Sequence, residues 1–301
     1  MQIKVSDLVK IYDKDLPTKF NALNKVSTTI SQGEFISIIG QTGSGKTTFI
    51  EHMNGLILPD GGKIEYFYVD YNKKTKQNED SYLIIKKPLF FQKKIKKIKA
   101  IRKRIGVVFQ FAEYQLFEQT IEKDIIFGAL SMGVPKDEAL KRAKEVIKLV
   151  GLNEDFLQQS PFDLSGGQKR RVAIAGILAM NPDVIFFDEP TAGLDPAGIN
   201  ETLEIFYNLY KQGKTIIIAT HDLDNALTWT KRTIVFKKGR IIRDDDTYNV
   251  LSDNKFLIEN KMEPTKLMSF IDKLKKRGLP VPKVVTQKEL ANWINHYRKE
   301  K

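Results

Sequence analysis

The eight residues GQTGSGKT, Gly40 to Thr47, constrain this chain more than any other stretch in it. They follow the order G-x-x-x-x-G-K-[ST], a turn whose glycines let backbone N–H groups approach phosphate oxygens. It ends in a lysine, Lys46, that reaches the β- and γ-phosphates and a hydroxyl, Thr47, suited to Mg²⁺. Such a loop works between a strand and a helix, where the helix N-terminus adds the positive end of its dipole to the anion site. The flanks comply: EFISIIG (Glu34 to Gly40) predicts a buried strand, and TTFIEHMN predicts the helix that follows. DVIFFDE (Asp183 to Glu189) and KTIIIATH (Lys214 to His221) predict two more buried strands with polar ends, which is where open α/β sheets place ligands. Short β-rich runs alternate with helical patterns through most of the chain, so the expected fold class is layered α/β.

Composition narrows the classes further. A chain of 301 residues with 42% apolar content can bury a full core, as one large domain or one plus a small appendix. Cysteine is absent, which excludes disulfides, thiolate metal sites and cysteine nucleophiles. The opening MQIKVSDLVK has no signal-peptide core, and no run approaches the ~18 apolar residues of a membrane span. The chain is therefore expected not to cross a bilayer by itself. A formal charge of +12 favours a polyanionic neighbour, nucleic acid or anionic lipid, or else reflects lysine bias alone.

Asp188 and Glu189 stand together at the end of VIFFDE. Asp188 is suited to hold Mg²⁺ through water, and Glu189 to orient and deprotonate an attacking water in a phosphoryl transfer that depends mostly on positioning. The longer segment DLSGGQKRRVAIAGILAMNPDVIFFDEPTAGLDP, Asp163 to Pro196, resembles the signature, following helix, acidic strand and D-loop of ATP-binding cassette ATPases. The resemblance covers nearly all of residues 1 to about 245 and keeps the family's order. It implies a P-loop NTPase of that type: a RecA-like core, an antiparallel β subdomain and a helical subdomain. Residues 246–301 are expected to form a small, mainly helical C-terminal domain.

Ser165, Gly166 and Gly167 would open a second anion-seeking helix end, so one chain carries two such ends but one phosphate loop. In the family two ATPase domains pair head to tail, and each ATP is clamped between one loop and the other domain's signature. The resemblance accordingly implies that ATP is bound by Gly40, Gln41, Thr42, Gly43, Ser44, Gly45, Lys46, Thr47 and Thr48 on one side. On the other side stand Ser165, Gly167 and Gln168, with Asp195 of AGLDP crossing the seam. Mg²⁺ is assigned to Thr47, Asp188 and Gln110. Glu189, His221 and Gln110 are the expected catalytic group: His221 matches the family's switch histidine, and Gln110 the glutamine that joins the nucleotide site to the transport partner. For the adenine, the family places an aromatic near the N-terminus, for which Tyr12 in VKIYD fits best and Phe20 in TKFNAL is the competitor.

QFAEYQLFEQTIEKDIIFG (Gln110 to Gly128) and the tail EPTKLMSFIDKLKKRGLPVPKVVTQKEL (Glu263 to Leu290) resemble the second kind of ATPase subunit in energy-coupling factor transporters. That implies an ATP hydrolase on the cytoplasmic face of a prokaryotic membrane, driving uptake of a vitamin or metal ion. The implied partners are a paralogous ATPase, with a homodimer as the alternative, a transmembrane coupling subunit and a substrate-binding membrane subunit. Thr47-Thr48 stands where the family more often has Ser-Thr, which keeps the hydroxyl. The alternatives are a soluble cassette protein acting on nucleic acid, to which the charge lends appeal, and the ATPase of another cassette transporter type. A metabolite kinase would leave the signature segment unexplained, and no specific nucleic acid is expected as a partner.

Two regions stand apart. From Val69 to about Ala100 the chain is expected to be an insertion. In it DYNKKTKQNEDSY is loop-like, and the stretch from Lys86 to Arg104 holds ten Lys or Arg and no acid. Phe91, Ile95 and Ile98 would share one face of a basic amphipathic helix, a solvated surface or a lipid-headgroup contact. In the tail, Leu267, Phe270, Ile271 and Leu274, then Leu290, Trp293, Ile294 and Tyr297, follow helical spacing. Thr286 and Glu289 form a capping-box signature at the start of the second run.

Overall fold

A computed structural model describes residues 1–72, 75–87 and 98–298. In chain order it begins with β1 (Gln2–Tyr12), β2 (Phe20–Ile30), β3 (Phe35–Ile39), α1 (Lys46–Met53), β4 (Gly61–Asn72) and β5 (Gln77–Lys86). The middle holds α2 (Ile98–Arg104), β6 (Ile105–Val108), α3 (Ile121–Ser131), α4 (Lys136–Leu149), α5 (Gly166–Ala179), β7 (Val184–Asp188) and α6 (Pro196–Lys211). The last part holds β8 (Thr215–Ala219), α7 (Leu223–Trp229), β9 (Arg232–Lys237), β10 (Arg240–Asp246), α8 (Thr247–Leu251), α9 (Asn254–Glu259), α10 (Lys266–Lys276) and α11 (Gln287–Tyr297).

Ten strands form two sheets among the described residues. The larger has the order β10-β9-β3-β8-β7-β6, parallel from β9 through β6, with β10 antiparallel at one edge. Its inner strands FISII, VIFFD and TIIIA are buried at every position, as expected where both faces are covered. Each fully buried large apolar side chain there contributes about 1.5–3 kcal/mol. One face of this sheet meets α3, α4, α5 and α6, where Phe187 of β7 stacks on Phe206 of α6 at 3.7 Å between ring centres. The other face meets α1 and the second sheet, antiparallel in the order β2-β1-β4-β5, through Ile36, Phe49, Tyr66 and Phe236. Both layers therefore close around the segment that leaves β3, the phosphate loop.

The structure corrects the reading of DYNKKTKQNEDSY as a loop. β4 and β5 pair without interruption from Lys63↔Lys86 out to Asn72↔Gln77, so much of this polar stretch is hairpin. Tyr66, Tyr68, Leu83 and Ile85 point into the core at alternate positions, and Arg104 braces the far end through Asp70 and the face of Tyr68. Ladder pairing and that inner face outweigh the low strand preference of Asn, Asp and Lys. Of the expected basic helix, Phe91 and Ile95 lie outside the described residues, and Ile98 opens α2.

The tail returns onto the large sheet. Leu257, Leu267, Met268, Ile271, Val284 and Leu290 are buried in one cluster with Ile39, Leu223, Leu227 and Val235. The Thr286–Glu289 capping box forms at the start of α11. Below this cluster, the hydroxyls of Ser37, Thr230, Thr233 and Thr247 bond one another at 2.7–3.1 Å, which satisfies four buried polar groups where the tail leaves β10.

Candidate active site

The C-terminal ends of β3, β7 and β8 lie side by side, because the parallel register puts Ile38 and Asp188 on either side of Ala219. The three polar groups expected at strand ends therefore converge. The loop between β3 and α1 holds Gly40, Gly43 and Gly45 at positive φ. A Cβ on Gly45 would meet the Ala22 carbonyl oxygen at 2.6 Å, so only glycine lets the loop lie this close to β2.

Lys46 opens α1 and is 8% exposed. Its ammonium donates to the carbonyl oxygens of Gly40 at 2.7 Å and Gln41 at 3.3 Å, which folds the side chain back over the loop. Burial pushes that ammonium's pKa down, and the nearby Glu189 and Asp188 oppose the shift. Thr47 donates its hydroxyl to Asp188 Oδ2 at 2.6 Å. Burial pushes the Asp188 carboxyl up, against the Thr47 hydrogen bond and the Lys46 charge. The buried Ser44 hydroxyl has no partner, so the loop presents an unsatisfied polar group.

Glu189 follows β7 in the left-handed region, φ 47, and its N–H donates to the Ala219 carbonyl at 2.9 Å. That backbone turn aims its carboxylate across the strand ends, where Oε2 lies 2.8 Å from His221 Nδ1. The His221 side chain is 76% exposed while the Glu189 side chain is 14% exposed, so the pair spans from solvent to a shielded carboxylate.

A cavity of about 350 Å³ is lined by Thr42–Thr48, Gln110, Asp188, Glu189, His221, Phe20 and Ala22. It thus brings together the greater part of the predicted loop residues with the metal-side and catalytic candidates. Gly40 and Gln41 line a neighbouring groove instead and hold Lys46 through their carbonyls. Of the two aromatics, Phe20 lines the cavity. Tyr12 is its cross-strand neighbour in the β1–β2 pair and lies under the Lys10 ammonium.

The signature candidates are not brought to this cavity. Ser165 and Gln168 close the N-terminus of α5 on themselves: Ser165 Oγ accepts from Gln168 N at 3.3 Å, and Gln168 Oε1 accepts from Ser165 N at 3.0 Å. Ser165 and Gly166 are exposed at that tip, and Gly167 is half-buried. Asp195 caps α6 by accepting from Gly198 N at 2.8 Å and is likewise exposed. One chain therefore presents a phosphate-seeking loop and a separate, outward-facing helix tip.

Sequence reasoning passed over the pairing of Arg170 with Glu113 and the contact of the tail with the phosphate loop. Arg170 and Glu113 form a largely shielded ion pair beside the turn that follows β7. Gln41 donates through Nε2 to the Lys261 carbonyl at 3.1 Å, so the tail touches the phosphate loop. A groove of about 890 Å³ between Gly40–Thr42, His221–Asp224 and Lys261–Lys266 shares only Thr42 and His221 with the phosphate cavity. No periodicity or motif flags these contacts, although Arg170 lies within the KRR run that follows the signature.

The ABC transporter family model matches residues 23–192. Among curated proteins, the chain is 66% identical over 295 residues to the energy-coupling factor transporter ATP-binding protein EcfA2 of Mesomycoplasma hyopneumoniae (strain J), covering 98% of this chain and 97% of that protein. The EcfA2 of Geobacillus kaustophilus is 41% identical over 290 residues, covering 96% of this chain and 88% of that protein. Among solved structures, cbiO1 from Clostridium perfringens, part of the ABC transporter complex cbiONQ, superposes with a TM-score of 0.68 at 33% identity, covering 90% of this chain and 98% of that one. The ATP-binding cassette MJ0796, in a dimeric post-hydrolysis state bound to ADP and Pi, gives 0.66 at 30% identity, covering 81% and 98%.

Proposed function

Because the chain belongs to the ABC transporter family of ATPases, we propose that it binds and hydrolyses ATP as a subunit of an energy-coupling factor type transporter, driving uptake of a vitamin or metal ion through membrane subunits. The observation that carries this reading is the convergence of Lys46, Thr47, Asp188, Glu189 and His221 around one cavity at three adjacent strand ends.

That geometry supports the following roles. Backbone N–H groups of Gly43–Thr48 and the Ser44 hydroxyl grip the β-phosphate region. Lys46 leaves the two loop carbonyls to take the β- and γ-phosphate charge. Thr47 and Asp188, two oxygen donors 2.6 Å apart, fit the sparse protein ligation that Mg²⁺ prefers, and Gln110 lines the same cavity. Held there, Mg²⁺ would supply charge neutralisation to the phosphate groups. Glu189 orients the attacking water and accepts its proton, and His221, hydrogen-bonded to that carboxylate, stands toward the γ-phosphate. Phe20 and Tyr12 flank the side from which a base would stack.

ATP held on this loop would still need a second anion-binding helix tip on its open side. The α5 tip with Ser165, Gly167 and Gln168 would supply it to a neighbouring ATPase, with Asp195 at the seam. A single helix-end contact contributes about 0.3–2 kcal/mol, so several acting on one γ-phosphate make closure depend on the nucleotide. We take the neighbour to be a paralogous subunit and the chain to be a peripheral protein on the cytoplasmic face. No helix among the described residues is long and apolar enough to cross a membrane. Residues 1–245 are assigned to the nucleotide-binding domain, with an insertion about 69–100, and 246–301 to the helical C-terminal domain.

Gentle purification from membranes with this chain as bait tests the reading. Expected are co-purification of a second ATPase and membrane-spanning subunits, and an ATPase rate that rises more steeply than linearly with concentration for the isolated ATPases. Binding to polynucleotide with a steep salt dependence and no membrane association would favour the nucleic-acid alternative instead. Full hydrolysis by dilute monomers would overturn the shared-site mechanism.

A further inference from the structure

We propose that Arg170 is a positioning residue that ties the turn carrying Glu189 to the exposed segment that follows Gln110. The proposal rests on the role given above to Glu189. Arg170 lies in α5, five residues beyond Ser165, and is 5% exposed. Its guanidinium donates in two directions. Nε and Nη2 reach the two carboxylate oxygens of Glu113 at 3.0 and 2.7 Å. Nη1 reaches the carbonyl oxygens of Pro190 at 3.1 Å and Ala192 at 2.8 Å.

The second pair of contacts bears on the chemistry. Pro190 and Ala192 come directly after Glu189, whose left-handed backbone is closed by a bond from Ala192 N to its own carbonyl at 3.2 Å. A non-glycine residue persists in that conformation only when its surroundings hold it there. Arg170 does so by occupying two carbonyls of the same turn. The same turn leads to Asp195, so the arginine also bears on the residue expected at the seam.

The first pair of contacts points outward. Glu113 belongs to a short helical turn, Ala112–Gln115, three residues after Gln110. Around it Phe111, Tyr114 and Phe117 are exposed, Tyr114 by 83%. A partner that presses on these rings moves Glu113, and the bidentate pair carries that shift through Arg170 to the Glu189 turn. Lysine cannot replace this arrangement, because a single ammonium lacks the planar fork that serves a carboxylate and two carbonyls together. None of Glu113, Pro190 and Ala192 lines the phosphate cavity, so binding and turnover should separate.

The test uses the full chain and the assembled transporter, with Arg170→Lys, Arg170→Met and Glu113→Gln. ATP affinity is measured on the purified chain, turnover and KM for ATP on the complex, and folded fraction by thermal melts. Misplacing a reacting group by about 1 Å can cost about 100-fold. For Arg170→Lys we expect turnover to fall about tenfold or more, with ATP affinity within about twofold of wild type. Glu113→Gln leaves the two carbonyl contacts in place and should lose less. Turnover of Arg170→Lys within about twofold of wild type would overturn the proposal, as would a loss matched by equal losses of ATP affinity or folded protein. Should Arg170→Met not fold, the lysine and Glu113→Gln variants still decide. A wild-type chain that binds no ATP would instead refute the proposed function.

Discussion

Replacing Thr47 with valine removes one hydroxyl and keeps the shape. In the folded chain that hydroxyl donates to Asp188 Oδ2 at 2.6 Å, and Asp188 is only 5% exposed. A hydrogen bond to a charged group contributes about 1.5–3 kcal/mol. Thr47 itself lies at the surface, so the lower end, about 1.5 kcal/mol, applies. The unfolding entropy is about 2.1 cal/mol/K per residue, and 301 residues therefore give about 0.6 kcal/mol/K. The melting temperature should drop by about 2–3 °C. On the proposed assignment the variant also removes one of the oxygens that would hold Mg²⁺, so the added stabilisation by MgATP over ATP with chelator should shrink, whereas Thr47→Ser should restore both. Scanning fluorimetry at fixed protein concentration, with ATP plus Mg²⁺ and with ATP plus chelator, reads both quantities. A Thr47→Val chain with wild-type melting and a wild-type Mg²⁺ increment would refute the assignment of this hydroxyl to the carboxylate and the metal.

Three other outcomes are expected. Glu189→Gln keeps the side-chain volume beside His221 but removes the proposed base, so turnover should fall by about 100- to 10,000-fold while ATP binding persists; steady-state hydrolysis and nucleotide titration check this, and unchanged turnover would contradict it. Phe20→Ala should weaken ATP binding more than Tyr12→Ala, since Phe20 lines the cavity and Tyr12 does not, as titration with ATP will show. At Glu113 burial pushes the carboxyl up, but the hydrogen bonds and charge of Arg170 outweigh it and leave the folded pKa depressed. Its contribution to stability is therefore present above the ordinary glutamate range, about 4.3, and is lost as pH falls through the lower folded value. Melts taken from neutral pH down to about pH 3 should lose less stability in Glu113→Gln than in wild type.

The sequence by itself determined what short-range pattern can carry. The phosphate loop, its strand and helix, and the buried strands ending in Asp188-Glu189 and His221 are runs of a few residues whose order already implies their chemistry. The α11 capping box is equally local, since Thr286 and Glu289 are three residues apart. Tertiary structure decided whatever depends on pairing between distant segments. The polar stretch after Val69 became hairpin because Tyr66 and Leu83 could be buried together, which composition alone misread as loop. Phe20 and Tyr12 are direct partners across β1 and β2, yet Phe20 alone of the two lines the cavity. Arg170 found Glu113 57 residues away, and Gln41 found Lys261 220 residues away, at separations no periodicity encodes. Local patterns record which residues can form an element; only the folded chain sets which elements touch, because that choice is made by burial and hydrogen-bond satisfaction summed over the whole core.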